Sequence, residues 1–90
     1  MAKKSGNGKY FVYFLRCADD TFYTGVTTNL SRRIDEHNEG KAGAKYTKAR
    51  RPVVLVYSES AKDRSQAQKR EHALRSLSRA DKQALVDKYS

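Results

Sequence analysis

The feature that most constrains this chain is the run Tyr10–Leu15, in which aromatic and β-branched or aliphatic side chains follow one another without a polar break. Alternate residues of an extended strand point to opposite faces, and here both faces are apolar. Such a strand has to be covered on both sides. We therefore predict that it lies centrally in a sheet or beneath a helix.

The residues that follow predict a β-hairpin. Ala18–Thr21 contains two aspartates, whose carboxylates can accept hydrogen bonds from the backbone ahead of them, as turns require. Phe22–Thr27 then resumes an extended pattern, which sets Tyr13 and Tyr23 on neighbouring strands. Gly25 weakens the second strand, so it marks either a bulge or a close approach of backbone or ligand.

A helix is predicted directly after the hairpin. Asn29 is a good N-cap, and Leu30 and Ile34, four residues apart, supply its buried contacts. Arg33 and His37 form a second row with the same spacing, so they can act together, and we expect His37 at the rim of any site there. The ordinary alternatives are a solvated arginine and a surface or capping histidine.

The segment that follows Gly40, a suitable helix terminator, is strongly basic. Residues 41–51 hold five cations and no acid, with one aromatic ring among them: Lys41, Lys45, Tyr46, Lys48, Arg50 and Arg51. A solvated loop would explain such a run. So would a loop that grips a nucleic-acid backbone, for which cations interleaved with an aromatic ring are well suited.

The second half of the chain predicts one more strand and two helices. Val53–Tyr57 is a continuous β-branched run that indicates a buried strand. Asp63 and Ser78 are the predicted N-caps of the two helices. Glu71 falls on the apolar face of the first helix, where a carboxylate is costly unless an arginine or a metal ion meets it.

Composition limits the class of protein. Ninety residues form one modest core, so we expect a basic arm at residues 1–8 and a single domain at residues 9–90. The 19 Lys and Arg against 10 Asp and Glu give a net charge of +9, which favours nucleic acid as the partner over a membrane, although a basic soluble protein without such a partner is the alternative. The lone Cys17 and the absence of a long apolar run predict a cytoplasmic protein.

The motifs together resemble the GIY-YIG endonuclease family, in particular its small stand-alone members. The resemblance is carried by the order and spacing of these motifs: Phe11-Val12-Tyr13, Tyr23-Thr24-Gly25, Asn29 to Ile34 with His37, and a downstream helix bearing Glu71. Phe11 stands where the first motif has glycine, and Thr24 where the second has an aliphatic residue. The resemblance implies an α+β fold, a three-stranded antiparallel sheet flanked by helices.

The resemblance also implies a catalytic site. It assigns Tyr13 as the general base, with His37 as an alternative base, and Tyr23 as the residue that positions water or phosphate. Arg33 matches the catalytic arginine, and Glu71 matches the carboxylate that holds one divalent metal, Mg²⁺ or Mn²⁺. Gly25 matches the closing glycine of the second motif, next to the bound nucleic acid.

The function implied is a metal-dependent endonuclease that hydrolyses phosphodiester bonds, in DNA rather than RNA, during repair or processing. The chemistry suits the residue types, because an arginine can clamp a phosphate bidentately and a single carboxylate suits a Mg²⁺ ion that keeps most of its waters. The alternative is a nucleic-acid-binding module that keeps the fold without cleavage. We expect Tyr13, Tyr23, Arg33 and Glu71 to converge on one concave site.

Overall fold

The computed structural model describes residues 10–39 and 45–89, apart from the side chain of Lys45. The predicted arm at residues 1–8, Gly40 and Lys41 lie outside this description. In chain order the elements are β1 (Tyr10–Arg16), β2 (Phe22–Thr27), α1 (Leu30–Glu39), α2 (Lys45–Lys48), β3 (Val54–Ala61), α3 (Arg64–Arg75) and α4 (Arg79–Tyr89). The strands form one antiparallel sheet in the order β2–β1–β3, which confirms the predicted fold class.

The central strand is β1, as its two apolar faces predict. Tyr13 pairs with Gly25 of β2 on one side and with Ser58 of β3 on the other. The β1–β2 register runs without a break through Gly25, whereas the β1–β3 register shifts between Phe14 and Leu15. Gly25 therefore does not mark a bulge.

Each face of the sheet carries its own apolar cluster. On one face Val12 and Phe14 pack with Ala67 and Leu74 of α3 and with Val86 of α4. The alternate residues of β1 point the other way, where Tyr13 and Leu15 pack with Leu30 and Ile34 of α1. The two layers of helices therefore lie on opposite sides of a thin sheet, and Tyr13 belongs to the α1 layer.

The predicted turn and caps fix where these elements begin. Asp19 accepts hydrogen bonds from the backbone and hydroxyl of Thr21 in the β1–β2 turn. Asn29 caps α1 through the Arg32 amide, at 3.0 Å. Asp63 caps α3 and Ser78 caps α4, each by accepting from the amide three residues ahead.

The prediction that Val53–Tyr57 is a buried strand is wrong in its burial. β3 is an edge strand that runs on to Ala61, and 59% of Val54 is exposed, while Val53 just before it is buried. β-branched residues favour an extended backbone, but long-range pairing decides which strand is central. Among the described residues, no helix is long and apolar enough to cross a membrane.

Candidate active site

The phenol of Tyr13 lies across the glycine of the neighbouring strand. Only 1% of Tyr13 is exposed, and a Cβ atom placed on Gly25 would lie 2.5 Å from its hydroxyl oxygen. A glycine is required because any side chain would displace the ring. The sequence allowed either a bulge or a close approach at Gly25. The structure shows a close approach, and the group that approaches is the ring of Tyr13.

The hydroxyl of Tyr13 meets a buried histidine. His37 Nε2 lies 3.0 Å from the Tyr13 oxygen, and His37 Nδ1 lies 2.8 Å from Oγ1 of Thr47. His37 and Thr47 are both fully buried, so the expectation of a histidine at the rim is wrong. The reason is that α2, which the sequence did not predict, brings Thr47 against Nδ1 of the ring.

Burial also sets the protonation of these groups. Loss of solvent lowers the pKa of His37 to about 4, and the charge of Arg33 acts in the same direction, so the imidazole is neutral at pH 7. Burial raises the pKa of Tyr13 to about 12, although a hydrogen bond from Arg33 opposes that rise. Tyr13 is therefore a neutral phenol in the protein without substrate.

Arg33 is held beside Tyr13 rather than in open solvent. Its guanidinium donates to the Tyr13 oxygen and forms an ion pair with Glu36 at 2.9 Å, and 25% of its side chain is exposed. Tyr23 completes the group, since its ring centre lies 6.5 Å from that of Tyr13 and 5.1 Å from that of His37. Four of the five predicted site residues therefore converge.

Glu71 lies in the helix layer on the other face of the sheet. It belongs to α3, and together with Thr27 and Thr28 it borders a groove beside the edge strand β2. Its negative charge contributes to the raised pKa of Tyr13, so its field acts on the phenol. Its ion-pair partner is Arg75, whose side chain is 62% exposed.

The donor set around Glu71 bears on the implied metal ion. Among residues 10–39 and 45–89, no group of three His, Cys, Asp or Glu side chains could hold a metal. A closed protein cage of the kind zinc prefers is therefore not built from these residues. A single partly exposed carboxylate, on a groove that Thr27 and Thr28 also line, does fit Mg²⁺ or Mn²⁺, which would keep several waters and bind a substrate phosphate.

The basic segment is more structured than the sequence predicts. Arg50 forms an ion pair with Asp19 at 2.9 Å, and its guanidinium lies 3.9 Å from the ring centre of Tyr46. Arg51 donates to the backbone carbonyl of His37. Tyr46 and Lys48 are exposed, so they are accessible to a ligand, whereas Arg50 and Arg51 would have to leave these contacts to bind one.

Sequence reasoning missed the residues that hold His37 in place. Thr47 contacts its ring, and the Asn38 side chain both donates to and accepts from the backbone of Val53, at 3.0 and 2.7 Å. These contacts join the end of α1 to the segment before β3. Thr47 lies in a run of cations, and nothing in that run singles out its hydroxyl.

Comparisons with known proteins agree with the fold and the motifs. A family model described as the GIY-YIG catalytic domain matches residues 9–84. A UPF0213 protein of Desulfotalea psychrophila is 57% identical over 77 residues, covering 86% of this chain and 70% of that protein. A UPF0213 protein of Natronomonas pharaonis is 54% identical over 77 residues, covering 86% and 89%.

Two solution NMR structures are similar as well. The UPF0213 protein of Bacillus halodurans has a TM-score of 0.55 and 41% identity, over 87% of this chain and 82% of that one. A protein of E. faecalis has a TM-score of 0.59 and 36% identity, over 99% and 91%. The chain therefore belongs to the GIY-YIG family, a family of nucleases, and its relatives are the small UPF0213 proteins.

Proposed function

We propose that this protein is a metal-dependent endonuclease that hydrolyses phosphodiester bonds in nucleic acid, and that its reaction centre is the Tyr13 hydroxyl. The observation that carries the proposal is the convergence of Arg33 and His37 on that single oxygen atom. A module that only binds nucleic acid has no need for a buried phenol hydrogen-bonded to a neutral imidazole. Cations and exposed aromatic rings would be enough for binding.

The phenol is proposed to act as a proton relay. A free phenolate is unfavourable in this site, because burial holds the pKa of Tyr13 near 12. When a water molecule attacks phosphorus, the Tyr13 oxygen accepts the proton of the water and gives its own proton to His37 Nε2. The new P–O bond forms as the bond to the leaving oxygen breaks, and solvent protonates that oxygen.

Arg33 is proposed to bind the scissile phosphate. Its planar guanidinium can contact two phosphate oxygens at once, and it already lies next to the Tyr13 hydroxyl. Tyr23 lies against both Tyr13 and His37, where it can orient the attacking water or the phosphate. Glu71 would hold the Mg²⁺ or Mn²⁺ ion, which when bound neutralises charge on the phosphate.

The exposed side of the site is proposed to bind the nucleic-acid backbone. Tyr46 and Lys48 are exposed next to the site, and the whole chain carries a net charge of +9. Gly25, which we expected beside the nucleic acid, is buried against the Tyr13 ring and does not belong to this surface. Arg50 and Arg51 join this surface if phosphate displaces their internal contacts; Lys41 and Lys45 belong to the same basic run. Following the family resemblance, we propose DNA rather than RNA as the substrate, in cytoplasmic repair or processing.

The test is cleavage of a panel of labelled linear, nicked, branched and single-stranded DNA and RNA, with Mg²⁺ or Mn²⁺ titrated from zero. Tyr13→Phe removes the relay oxygen and should lower cleavage at least 100-fold with unchanged binding. Tyr57→Phe is the matched control, because Tyr57 also has a pKa near 12 and a bonded hydroxyl but packs with Phe14 on the other face of the sheet. The control should cleave like the parent protein.

Two results would overturn the proposal. Binding without metal-dependent cleavage on every substrate would leave a nucleic-acid-binding module. Cleavage that survives Tyr13→Phe unchanged would remove Tyr13 from the chemistry.

A further inference from the structure

We propose that Thr47 is a positioning residue, which accepts the Nδ1 proton of His37 and, together with Arg33, holds the tautomer whose Nε2 lone pair faces the Tyr13 hydroxyl. The consequence for catalysis rests on the proposed function. The assignment of the proton itself does not, since it follows from the hydrogen bonds of the resting protein.

Both ring nitrogens of His37 have one partner, and both partners are hydroxyl groups. Nε2 lies 3.0 Å from the oxygen of Tyr13, and Nδ1 lies 2.8 Å from Oγ1 of Thr47. A neutral imidazole donates from one nitrogen and accepts at the other. Either Nδ1–H donates to Thr47 and Tyr13 donates to Nε2, or both bonds run in the opposite direction.

Arg33 decides between the two arrangements. A guanidinium only donates, so the oxygen of Tyr13 already accepts a bond from Arg33. If Nε2–H also donated to that oxygen, the proton of Tyr13 would have no acceptor among the described residues, in a side chain that is only 1% exposed. An unsatisfied buried donor is costly, so Tyr13 donates to Nε2 and Nδ1–H donates to Thr47.

Thr47 is held firmly enough to keep its hydroxyl at Nδ1 of His37. It is fully buried, and its backbone carbonyl accepts from the Arg50 amide at 3.0 Å. The carbonyl of Arg50 in turn accepts from the amide of Ala18 at 2.9 Å, in the turn after β1. The bonds of Thr47 and Arg50 to the turn after β1 thus anchor the Thr47 hydroxyl opposite Nδ1.

The tautomer matters because the relay ends at Nε2. Only an unprotonated Nε2 can take the proton of Tyr13 while Tyr13 takes the proton of the attacking water. With the proton on Nε2 the imidazole has no lone pair facing Tyr13, and the relay is blocked. Loss of the Thr47 hydroxyl should therefore lower kcat about 10- to 100-fold, the range by which losing the outer hydrogen bond of a metal-bound histidine lowers activity, and leave KM unchanged.

The test combines nitrogen NMR with kinetics on the intact protein. The chain has two histidines, and the exposed His72 supplies a reference for the ¹⁵N signals of His37. We expect a protonated Nδ1 and an unprotonated Nε2 for His37 in the parent protein. Thr47→Ser keeps the hydroxyl and should keep both the tautomer and kcat, whereas Thr47→Val should shift proton population towards Nε2 and lower kcat.

The parent spectrum tests the assignment even if Thr47→Val fails to fold. A protonated Nε2 in the parent protein would overturn the proposal, as would an unchanged tautomer in folded Thr47→Val. The expected tautomer in a protein that cleaves no substrate would support the assignment while the proposed function fails. If the tautomer shifts as expected in Thr47→Val while its kcat is unchanged, only the catalytic role of Thr47 is refuted.

Discussion

Replacing Gly25 by alanine tests the geometry on which the site depends. The new Cβ atom would lie 2.5 Å from the hydroxyl oxygen of Tyr13 and 2.7 Å from its Cζ atom. Ordinary contact begins at 3.4 Å, so the hydroxyl would have to retreat by about 0.9 Å. The ring is rigid, buried and bonded to His37, so it cannot turn aside as a flexible side chain could.

Two effects on stability oppose each other. Alanine reduces the conformational freedom of the unfolded chain, which stabilises a protein by about 0.4–1 kcal/mol where the backbone tolerates it. Overpacking of a filled core costs about 1–3 kcal/mol. The overpacking is the larger effect, and we expect a net loss of roughly 1–2 kcal/mol in the free energy of unfolding, with Tm lowered by about 4–8 °C per kcal/mol.

The effect on activity should be larger than the effect on stability. A displacement near 1 Å of a reacting group can lower the rate by about 100-fold, and here the displaced atom is the proposed relay oxygen. The assay is kcat for metal-dependent cleavage, measured beside urea unfolding well below the Tm of the variant. Thr24→Ala is the control, because Thr24 is the neighbouring residue on β2 and points away from Tyr13; its cleavage should be nearly unchanged.

A Gly25→Ala protein as stable and as active as its parent would refute this reasoning. It would mean that the Tyr13 ring can move without cost, and that neither its contact with Gly25 nor its bond to His37 is needed. Loss of stability with full activity would refute the link between that geometry and the chemistry.

Three further predictions follow from the described contacts. Glu71→Gln should abolish Mg²⁺-dependent cleavage but change the free energy of unfolding by no more than about 0.5 kcal/mol, because its partner Arg75 is exposed. A cleavage assay beside thermal unfolding with and without Mg²⁺ checks both. Lys48→Ala should reduce the slope of log affinity against log salt concentration for duplex binding by about 0.9 if Lys48 contacts one phosphate. An unchanged slope would mean that Lys48 is only solvated. The pKa of His37 is about 4 in the folded protein and 6.5 in its ordinary state, so the unfolded chain takes up a proton more readily. The resulting contribution of about 3 kcal/mol to the free energy of unfolding is complete above pH 6.5 and is lost as pH falls towards 4. His37→Asn should remove this pH dependence in unfolding experiments and His72→Asn should not.

The sequence by itself determined the order of the elements other than α2. The doubly apolar run of β1, the aspartates of the turn and the caps Asn29, Asp63 and Ser78 are local signals, and each acts on the few residues around it. The spacing of four between Arg33 and His37 likewise put both on one row of α1. Motif order was enough to identify the family, since the family model covers residues 9–84.

Only the tertiary structure decided what those residues touch. Whether His37 is buried depends on Thr47, ten residues further along in a short helix that the basic composition concealed. The internal contacts of Arg50 and Arg51 likewise depend on partners that the fold brings near, Asp19 and the carbonyl of His37.

Burial and pKa are properties of a packed neighbourhood rather than of a residue type. A tyrosine and a histidine on separate elements carry no mark in the sequence that they share a hydrogen bond. Their distance is set when α1 closes on the sheet, and the missing side chain of Gly25 leaves the space in which the two rings meet. For that reason the sequence could name Tyr13, Tyr23, Arg33 and His37 as candidates for one site, while the protonation of Tyr13 and His37 followed only from their packing.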